Sequence, residues 1–230
     1  MMKFSFIIPT LNEENYLEEC LKSMKKQTMN DYEIIIVDSY SKDNTLKIAK
    51  KYGAKVFFEK RRGPGVARNT GAKKARGDIL IFCDADVRFG KNFLEKMSEK
   101  FKKNIGGGIC NLVPYDSGRK SIQINYKLAN SIARFFISIG VIITAGSCFV
   151  YRKNIFKKTG GFDIKFLTNE DHELAKRTSK FGRFQFFNEI KIGTSTRRIQ
   201  KWGLVKSYKI YIKSTLIYWF NHGYIKNYWN

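Results

Sequence analysis

Proline is scarce in this sequence. Only Pro9, Pro64 and Pro114 occur in 230 residues, and there is no Ser/Gly/Pro-rich tract, so nothing marks a linker. There is no internal repeat and no low-complexity segment, which leaves one sizeable core, as a single large domain or a domain with an elaborated tail. Cysteines are few and widely spaced. Cys20, Cys83, Cys110 and Cys148 form no Cys-x-x-Cys pair, and Cys83 and Cys148 lie in apolar runs, as buried reduced thiols do. Strand-like sequence begins at Lys3, which predicts no signal peptide and, with the thiols, a cytoplasmic setting. Long apolar runs are also missing. The best is the uncharged stretch Phe135 to Tyr151, shorter than the ~20 residues of a membrane span and broken by Gly140, Thr144, Gly146 and Ser147. It reads as a buried helix end, a turn and a strand near 147–151, with a span as the competing reading. Acidic residues are the last shortage: 20 against 43 Lys+Arg, a formal charge of +23. Such a field attracts nucleotides, phosphates, nucleic acid or an anionic membrane and is silent about fold. Part of it sits on solvated helix faces.

What is present is organised around residues 77–87. Ile79 to Cys83 is five apolar residues without polar alternation, as expected of a short parallel strand covered on both faces. Asp84-Ala85-Asp86 follows at once. Side chains alternate along extended chain, so the two carboxylates are expected to point the same way, and like charges side by side need a cation between them. A hard ion with oxygen ligands, Mg2+ or Mn2+, meets that need and brings substrate phosphates with it. A solvated turn capping the next helix is the alternative.

The rest of the chain alternates strand and helix. Phe4 to Thr10 is a first strand. A helix follows, opened by Asn12-Glu13-Glu14, with Leu17, Cys20, Leu21 and Met24 on one face. Tyr32 to Val37 is a second strand ending at Asp38, then a helix runs over 44–52, and Ala54 to Phe58 is a third strand. This order is the signature of a doubly wound, mostly parallel sheet, in which ligands bind at the carboxyl ends of strands. Arg61-Arg62-Gly63-Pro64-Gly65, leading into a helix, reads as an anion cradle in which Gly65 lets backbone approach a ligand and Arg68 projects one turn in; a structural turn is the competing reading. Gly71 marks close packing on the sheet. Further on come helices over 92–102 and 121–136, strands over 106–113 and 147–151, and a short helix over 154–158. A helix opened by Thr168-Asn169-Glu170-Asp171, with Asn169 as cap, precedes an edge-like strand over 184–192. His172 is read as a metal or substrate contact, or else as exposed. The aromatic and lysine-rich tail from Leu204 suits a membrane interface or a helix packed on the domain.

In this order the pieces resemble the family 2 glycosyltransferases. The motifs are Ile8-Pro9-Thr10-Leu11-Asn12-Glu13, Val37-Asp38-x-x-Ser41-x-Asp43-x-Thr45, Gly63-Pro64-Gly65-x-Ala67-Arg68-Asn69, Gly77-Asp78 leading to Asp84-Ala85-Asp86, Gly160-Gly161-Phe162-Asp163, and Glu170-Asp171. The resemblance covers about residues 4–200. It implies a GT-A fold: a Rossmann-like, mostly parallel central sheet with helices on both faces, followed here by a helical, aromatic C-terminal extension. It divides the chain into a domain over 1–200, with a nucleotide-sugar half at 1–113 and an acceptor half at 114–200, and a tail at 201–230. It implies an inverting, metal-dependent transferase. Pro9, Thr10, Asn12, Glu13, Asp38, Gly65, Arg68, Asp84, Ala85 and Asp86 are expected around the nucleotide sugar. Of these Asp38 is the acid near the base, Arg68 touches the nucleotide, and Asp84 and Asp86 serve Mg2+ or Mn2+. Asp171 is expected as catalytic base with Glu170 beside it. Many relatives carry two adjacent aspartates where this chain has Asp38-Ser39, which leaves UDP- against GDP-sugar open, with UDP favoured.

Arg197 and Arg198 are expected to reach the leaving diphosphate, against fixed surface arginines as the plainer reading. The acceptor is a glycan hydroxyl or a lipid-linked molecule, with peripheral contact on the inner face of the cell membrane. A polyprenyl-phosphate glycosyl synthase is the nearest alternative. A nucleotidyltransferase would place a glycine-rich loop with a lysine where Thr10-Leu11-Asn12-Glu13 stands. A nucleic-acid-binding protein would find the acidic clusters at 84–86 and 170–173 repelling its phosphates.

Overall fold

A computed structural model of the chain describes residues 3–144, 146–166, 168–207, 209–210 and 213. Its strands are β1 (Phe4–Thr10), β2 (Tyr32–Asp38), β3 (Lys55–Phe58), β4 (Ile79–Cys83), β5 (Val87–Phe89), β6 (Ile105–Pro114), β7 (Cys148–Arg152) and β8 (Arg183–Thr194). The helices are α1 (Glu14–Lys25), α2 (Thr45–Lys51), α3 (Pro64–Lys74), α4 (Phe93–Lys100), α5 (Lys120–Ser138), α6 (Lys153–Lys158), α7 (Glu170–Thr178) and α8 (Arg197–Trp202). The strands form one sheet in the order β3-β2-β1-β4-β7-β6-β8-β5. The first four are parallel, as expected of the alternating first half. Beyond β4 the sheet is mixed: β7 runs antiparallel to β4 and β6, β8 parallel to β6, and β5 antiparallel to β8.

The apolar runs are continuous because both faces are covered. Phe6, Ile8, Ile34, Ile36, Ile79 and Ile81 face α1, α2 and α4, meeting Leu17, Leu21, Met24, Ala49 and Met97. Ile7, Ile35, Val37, Leu80 and Phe82 face α3, α6 and α7, meeting Ala67, Ala72, Phe156 and Leu174. Gly71 is where α3 lies closest. A Cβ there would stand 2.4 Å from Ile7 Cγ2 and 3.1 Å from Val37 Cγ2.

Four expectations change. The strand over 184–192 is not an edge: β8 is longer and runs between β6 and β5, a strand too short to register as a pattern. Asn169 does not cap α7 with its side chain; its backbone is left-handed, with φ of 60°. Its place there is explained by the tolerance of asparagine for that region. The end of α5 is only half buried, with Phe135 and Ile139 exposed. Residues 84–86 are not extended, because β4 ends at Cys83 and the chain turns into β5; alternation therefore does not set where the two aspartates point. Among the described residues no helix is long and apolar enough to cross a membrane. The tail from 208, apart from 209, 210 and 213, lies outside the described residues.

Candidate active site

The carboxyl ends of β1, β2 and β4 carry the expected donor-side residues. Register places Thr10 beside Asp38, and the Thr10 hydroxyl donates to Asp38 Oδ2 at 2.8 Å. Asp38 is fully buried and also accepts from the Ser41 amide at 2.7 Å and the Ser41 hydroxyl at 2.6 Å. Ser41 Oγ in turn accepts from the Asn12 amide, and Asn12 Oδ1 accepts from the Lys42 amide. Asn12 adopts a positive φ of 54°. The loops after β1 and β2 are thus one hydrogen-bonded unit, further tied by the Glu13 amide donating to Thr45 Oγ1. Pro9 leads into it, half buried.

Two arginines organise the acids. Arg68, on the second turn of α3, is 2% exposed. It donates through Nη1 to Glu170 at 2.5 Å and through Nη2 to Asp84 at 2.9 Å, beneath the rings of Phe149 and Phe162. Its Nε has no partner among the described residues. Arg68 therefore bridges the acid after β4 to the acid that opens α7 rather than projecting from a cradle. Gly65 departs from expectation in the same way. A Cβ on it would lie 3.3 Å from Phe162 Cβ and 3.6 Å from Glu170 Cγ, so protein, not ligand, makes the close approach. Arg61 is engaged by Glu59.

Arg197 is the second organiser. Its Nε donates to Asp86 at 2.6 Å, its two terminal nitrogens to Glu13 at 2.8 and 3.1 Å, and its guanidinium lies 4.5 Å from the Tyr16 ring. The segment holding it is anchored on Asp116, which accepts from the Ser195 hydroxyl and from the amide and hydroxyl of Thr196. The Ser195 amide also donates to the Asp86 carbonyl at 3.1 Å. Burial, and next the charge of Asp84, push the Asp86 carboxyl up to about 6, against the pull of Arg197 and Arg198. Asp86 therefore senses the charge of Asp84 although the two are held by different arginines.

Glu170 and Asp171 open α7 and are both buried. Burial drives Glu170 up to about 7, with Asp171 adding to it and Arg68 opposing. Arg68 is itself held in its charged form by Asp84, Glu170 and Asp171, despite burial. The two shifts agree once several carboxylates share one guanidinium. Asp171 goes the other way: burial raises it, but hydrogen bonds and charge from His172, the Thr144 hydroxyl at 2.7 Å and the charge of Arg68 bring it to about 2. His172 is not exposed. Its side chain is 12% accessible and lies against Asp171 and Thr144. The Gly160-Gly161-Phe162 turn is clamped onto α3 by Asn69, which donates to the Phe162 carbonyl at 2.7 Å and accepts from its amide at 2.9 Å. A cleft of about 720 Å³ lies beside this turn, lined by Asn69, Lys73, Lys157 and Arg177, and includes none of the acids at 38, 84, 86 or 171.

Sequence reasoning missed Asp116, Ser195, Thr196, Thr144 and Tyr16. Asp116 sits in a turn-like Pro114-Tyr115-Asp116-Ser117-Gly118, and its partners lie some 80 residues on. No local spacing reports that contact.

Comparison with known proteins gives the following. The profile of "Glycosyl transferase family 2" matches residues 5–160. Poly(ribitol-phosphate) beta-N-acetylglucosaminyltransferase TarS of Staphylococcus aureus (strain Mu50 / ATCC 700699) is 39% identical over 103 residues, 41% of this chain but 18% of TarS. The Methanococcus voltae dolichyl N-acetyl-alpha-D-glucosaminyl phosphate 3-beta-D-2,3-diacetamido-2,3-dideoxy-beta-D-glucuronosyltransferase is 27% identical over 234 residues, 93% of this chain and 71% of that protein. The crystal structure of S. aureus TarS 1-349 with UDP-GlcNAc has a TM-score of 0.68 and 25% identity, covering 85% of this chain and 59% of that one. The Pyrobaculum calidifontis mannosyltransferase PcManGT with GDP-Man and Mn2+ has a TM-score of 0.67 and 21% identity, covering 92% and 64%. The fold is that of these enzymes, and the chain spans under half of the full TarS structure.

Proposed function

The chain belongs to glycosyl transferase family 2, and from that premise we propose that it transfers a sugar from a nucleotide-sugar donor, a UDP-sugar ahead of a GDP-sugar, with inversion at the anomeric carbon. The observation that carries this is the convergence of Asp38, Asp84, Asp86 and Glu13 at the carboxyl ends of β1, β2 and β4, joined through Arg68 to the acids that open α7. On this reading 1–113 is the donor half and 114–200 the acceptor half, with Arg197 reaching across from the second to Glu13 and Asp86 of the first. The uridine preference draws on the UDP-GlcNAc held by TarS at 25% identity.

The residues fit a divalent ion. The charge of Asp84 lies close enough to push Asp86 up, and among the described residues the Asp86 carboxylate is held by an arginine on a separate segment. On this reading Asp84 and Asp86 hold Mg2+ or Mn2+, which when bound supplies charge to the diphosphate. The protein does the rest. Asp38 with Thr10, Asn12 and Pro9 shapes the nucleotide end. Arg197 and Arg198 lie where charge gathers as the bond from anomeric carbon to phosphate oxygen breaks and its electron pair leaves with the diphosphate. The acceptor oxygen attacks the opposite face, and its proton passes to Asp171, which Thr144 and His172 hold in its charged form. Glu170 positions Arg68.

A second reading has a specific observation behind it. A carboxylate at about 2 is a weak base for a hydroxyl, whereas a polyprenyl phosphate is already ionised and needs none. Asp171→Asn decides between them: near-complete loss of turnover marks a hydroxyl acceptor, retention of much of it a phosphate. The donor reading is tested by thermal shift with UDP- and GDP-sugars, with and without Mn2+. We expect stabilisation by one nucleotide class, dependent on metal and lost in Asp86→Ala. Absence of any shift across the panel refutes the proposal.

A further inference from the structure

Helix α5 is apolar over far more of its circumference than the core covers. Ile122, Ala133 and Ile137 face inward. Ile124, Leu128, Ile132, Phe135 and Ile139 form a second stripe at spacings of four, four, three and four residues, and these are 63, 56, 42, 60 and 58% exposed. At 3.6 residues per turn such spacing keeps all five on one side of the helix, along roughly 22 Å. Scattered exposed apolar residues need no explanation, but a continuous stripe does.

The charge around the stripe identifies what it meets. No Asp or Glu occurs from Ser117 to Gly161, while Arg119, Lys120, Lys127 and Arg134 are on or beside α5. At 100° per residue Lys120, Lys127 and Arg134 fall together on the flank next to the stripe, where long stems reach up from an apolar surface with their charges in water. The chain as a whole carries +23, and no acidic residue follows Glu189. A second copy of so basic a chain would have to overcome that charge, whereas an anionic lipid surface, which also takes an apolar stripe, is drawn by it. The helix is also too polar to cross a bilayer, as a helix that lies in the interface is.

We propose that α5 is a membrane-docking element, lying flat on an anionic bilayer with Ile124, Leu128, Ile132, Phe135 and Ile139 inserted at the headgroup boundary. The chain leaving the stripe at Ile139 runs directly to Thr144, whose hydroxyl binds Asp171. Docking by α5 thus sets the acceptor side of the site against the lipid surface. This inference stands apart from the donor chemistry, and nucleotide binding in solution does not depend on it.

The test is cosedimentation of the full chain with vesicles of phosphatidylcholine, with and without phosphatidylglycerol. The wild type binds the anionic vesicles, and salt weakens the binding. Leu128→Ser/Phe135→Ser lowers the partition coefficient by about tenfold or more, since each buried CH2 adds to binding, while its melting temperature and nucleotide-induced shift stay at wild-type values. Lys120→Gln/Lys127→Gln/Arg134→Gln loses the preference for anionic over neutral vesicles. Phe58→Ser, an exposed apolar position elsewhere, binds as wild type does. The proposal is overturned if the double serine variant partitions like wild type. It is equally overturned if sedimentation velocity shows a wild-type dimer that the variant converts to monomer with vesicle binding unchanged.

Discussion

Arg68→Met removes the cation that Glu170 and Asp84 share, and its cost can be worked from their surroundings. The guanidinium is buried, Glu170 beside it is equally buried, and Asp84 keeps about a quarter of its side chain in solvent. Methionine fills much of the volume under Phe149 and Phe162, so the packing loss is small. What remains is an uncompensated buried Glu170, and breaking a buried pair from one side costs ~3–5 kcal/mol while the carboxylate stays charged. Because burial already pushes Glu170 up to about 7 beside Arg68, the full cost shows near pH ~9.5, where each kcal/mol moves the melting temperature of a chain of this size by ~2–4 °C, a fall of ~6–20 °C. Below that pH Glu170 escapes the penalty by taking a proton. The deficit should therefore shrink steadily toward pH 5, and Arg68→Met/Glu170→Gln should recover roughly half of it at pH ~9.5. Differential scanning calorimetry from pH 5 to ~9.5 measures all three. If Arg68→Met melts within ~2 °C of wild type at pH ~9.5, or if the double variant is as unstable as the sum of the singles, the bridge does not hold Glu170 and Asp84 together.

Glu170→Gln by itself reads the same group from the other side. Its folded pKa is raised to about 7 from an ordinary 4.5, so the folded chain binds that proton more tightly than the unfolded one. The stabilising contribution is complete below about pH 4.5 and lost as pH rises through 7. The glutamine variant should flatten the dependence of melting temperature on pH over that window, and an unchanged slope refutes the assignment. Arg197→Gln frees Glu13 and Asp86 from a cation they already share. Mn2+ binding without nucleotide, followed by calorimetry, should tighten about tenfold, because a hydrogen bond to a charged group is worth ~1.5 kcal/mol or more; weaker binding would show that Arg197 does not compete for those carboxylates. Gly71→Ala sets a helix-propensity gain of up to ~1 kcal/mol against overpacking of ~1–3 kcal/mol where Cβ meets Ile7 at 2.4 Å. Net destabilisation, seen as a lower urea midpoint with an unchanged slope, is expected.

The first half of the fold was legible because burial on both faces writes itself as unbroken apolar sequence: Phe6 to Ile8, Ile34 to Val37 and Ile79 to Cys83. The same reasoning fails for β8, where Arg183, Asn188, Glu189 and Lys191 are exposed while Phe184, Phe187 and Ile192 are buried. That alternation resembles an edge although β5 closes its far end. β5 itself has three residues and no period to detect. In the site, Thr10 and Asp38 could be paired from sequence because each ends a parallel strand. Asp84 and Asp86 were found for their spacing but reasoned about as strand residues, and the turn after Cys83 invalidates that step. Asp116 and Thr144 left no signal at all, since a hydrogen bond across some 80 or 27 positions has no local pattern.

The two arginines explain why the site residues stand out in sequence yet arrive already partnered. Asp86 and Glu13 share Arg197, and Asp84 and Glu170 share Arg68. Buried like charges cannot be left uncompensated, so a fold that keeps acids in place for a cation needs a stand-in for it. The two stand-ins differ in how they are held. Arg68 sits on α3, locked under two rings, whereas Arg197 is carried by a segment whose hold comes from Asp116, itself largely surface-exposed. On the proposed reading only the second can yield: Asp86 would turn from Arg197 to hold the metal, which would leave the Arg197 charge for the phosphates. The assignment of Asp86 to the metal and of Arg197 to the leaving diphosphate are then two states of one ion pair. Asp116, invisible in the sequence, sets how readily one becomes the other.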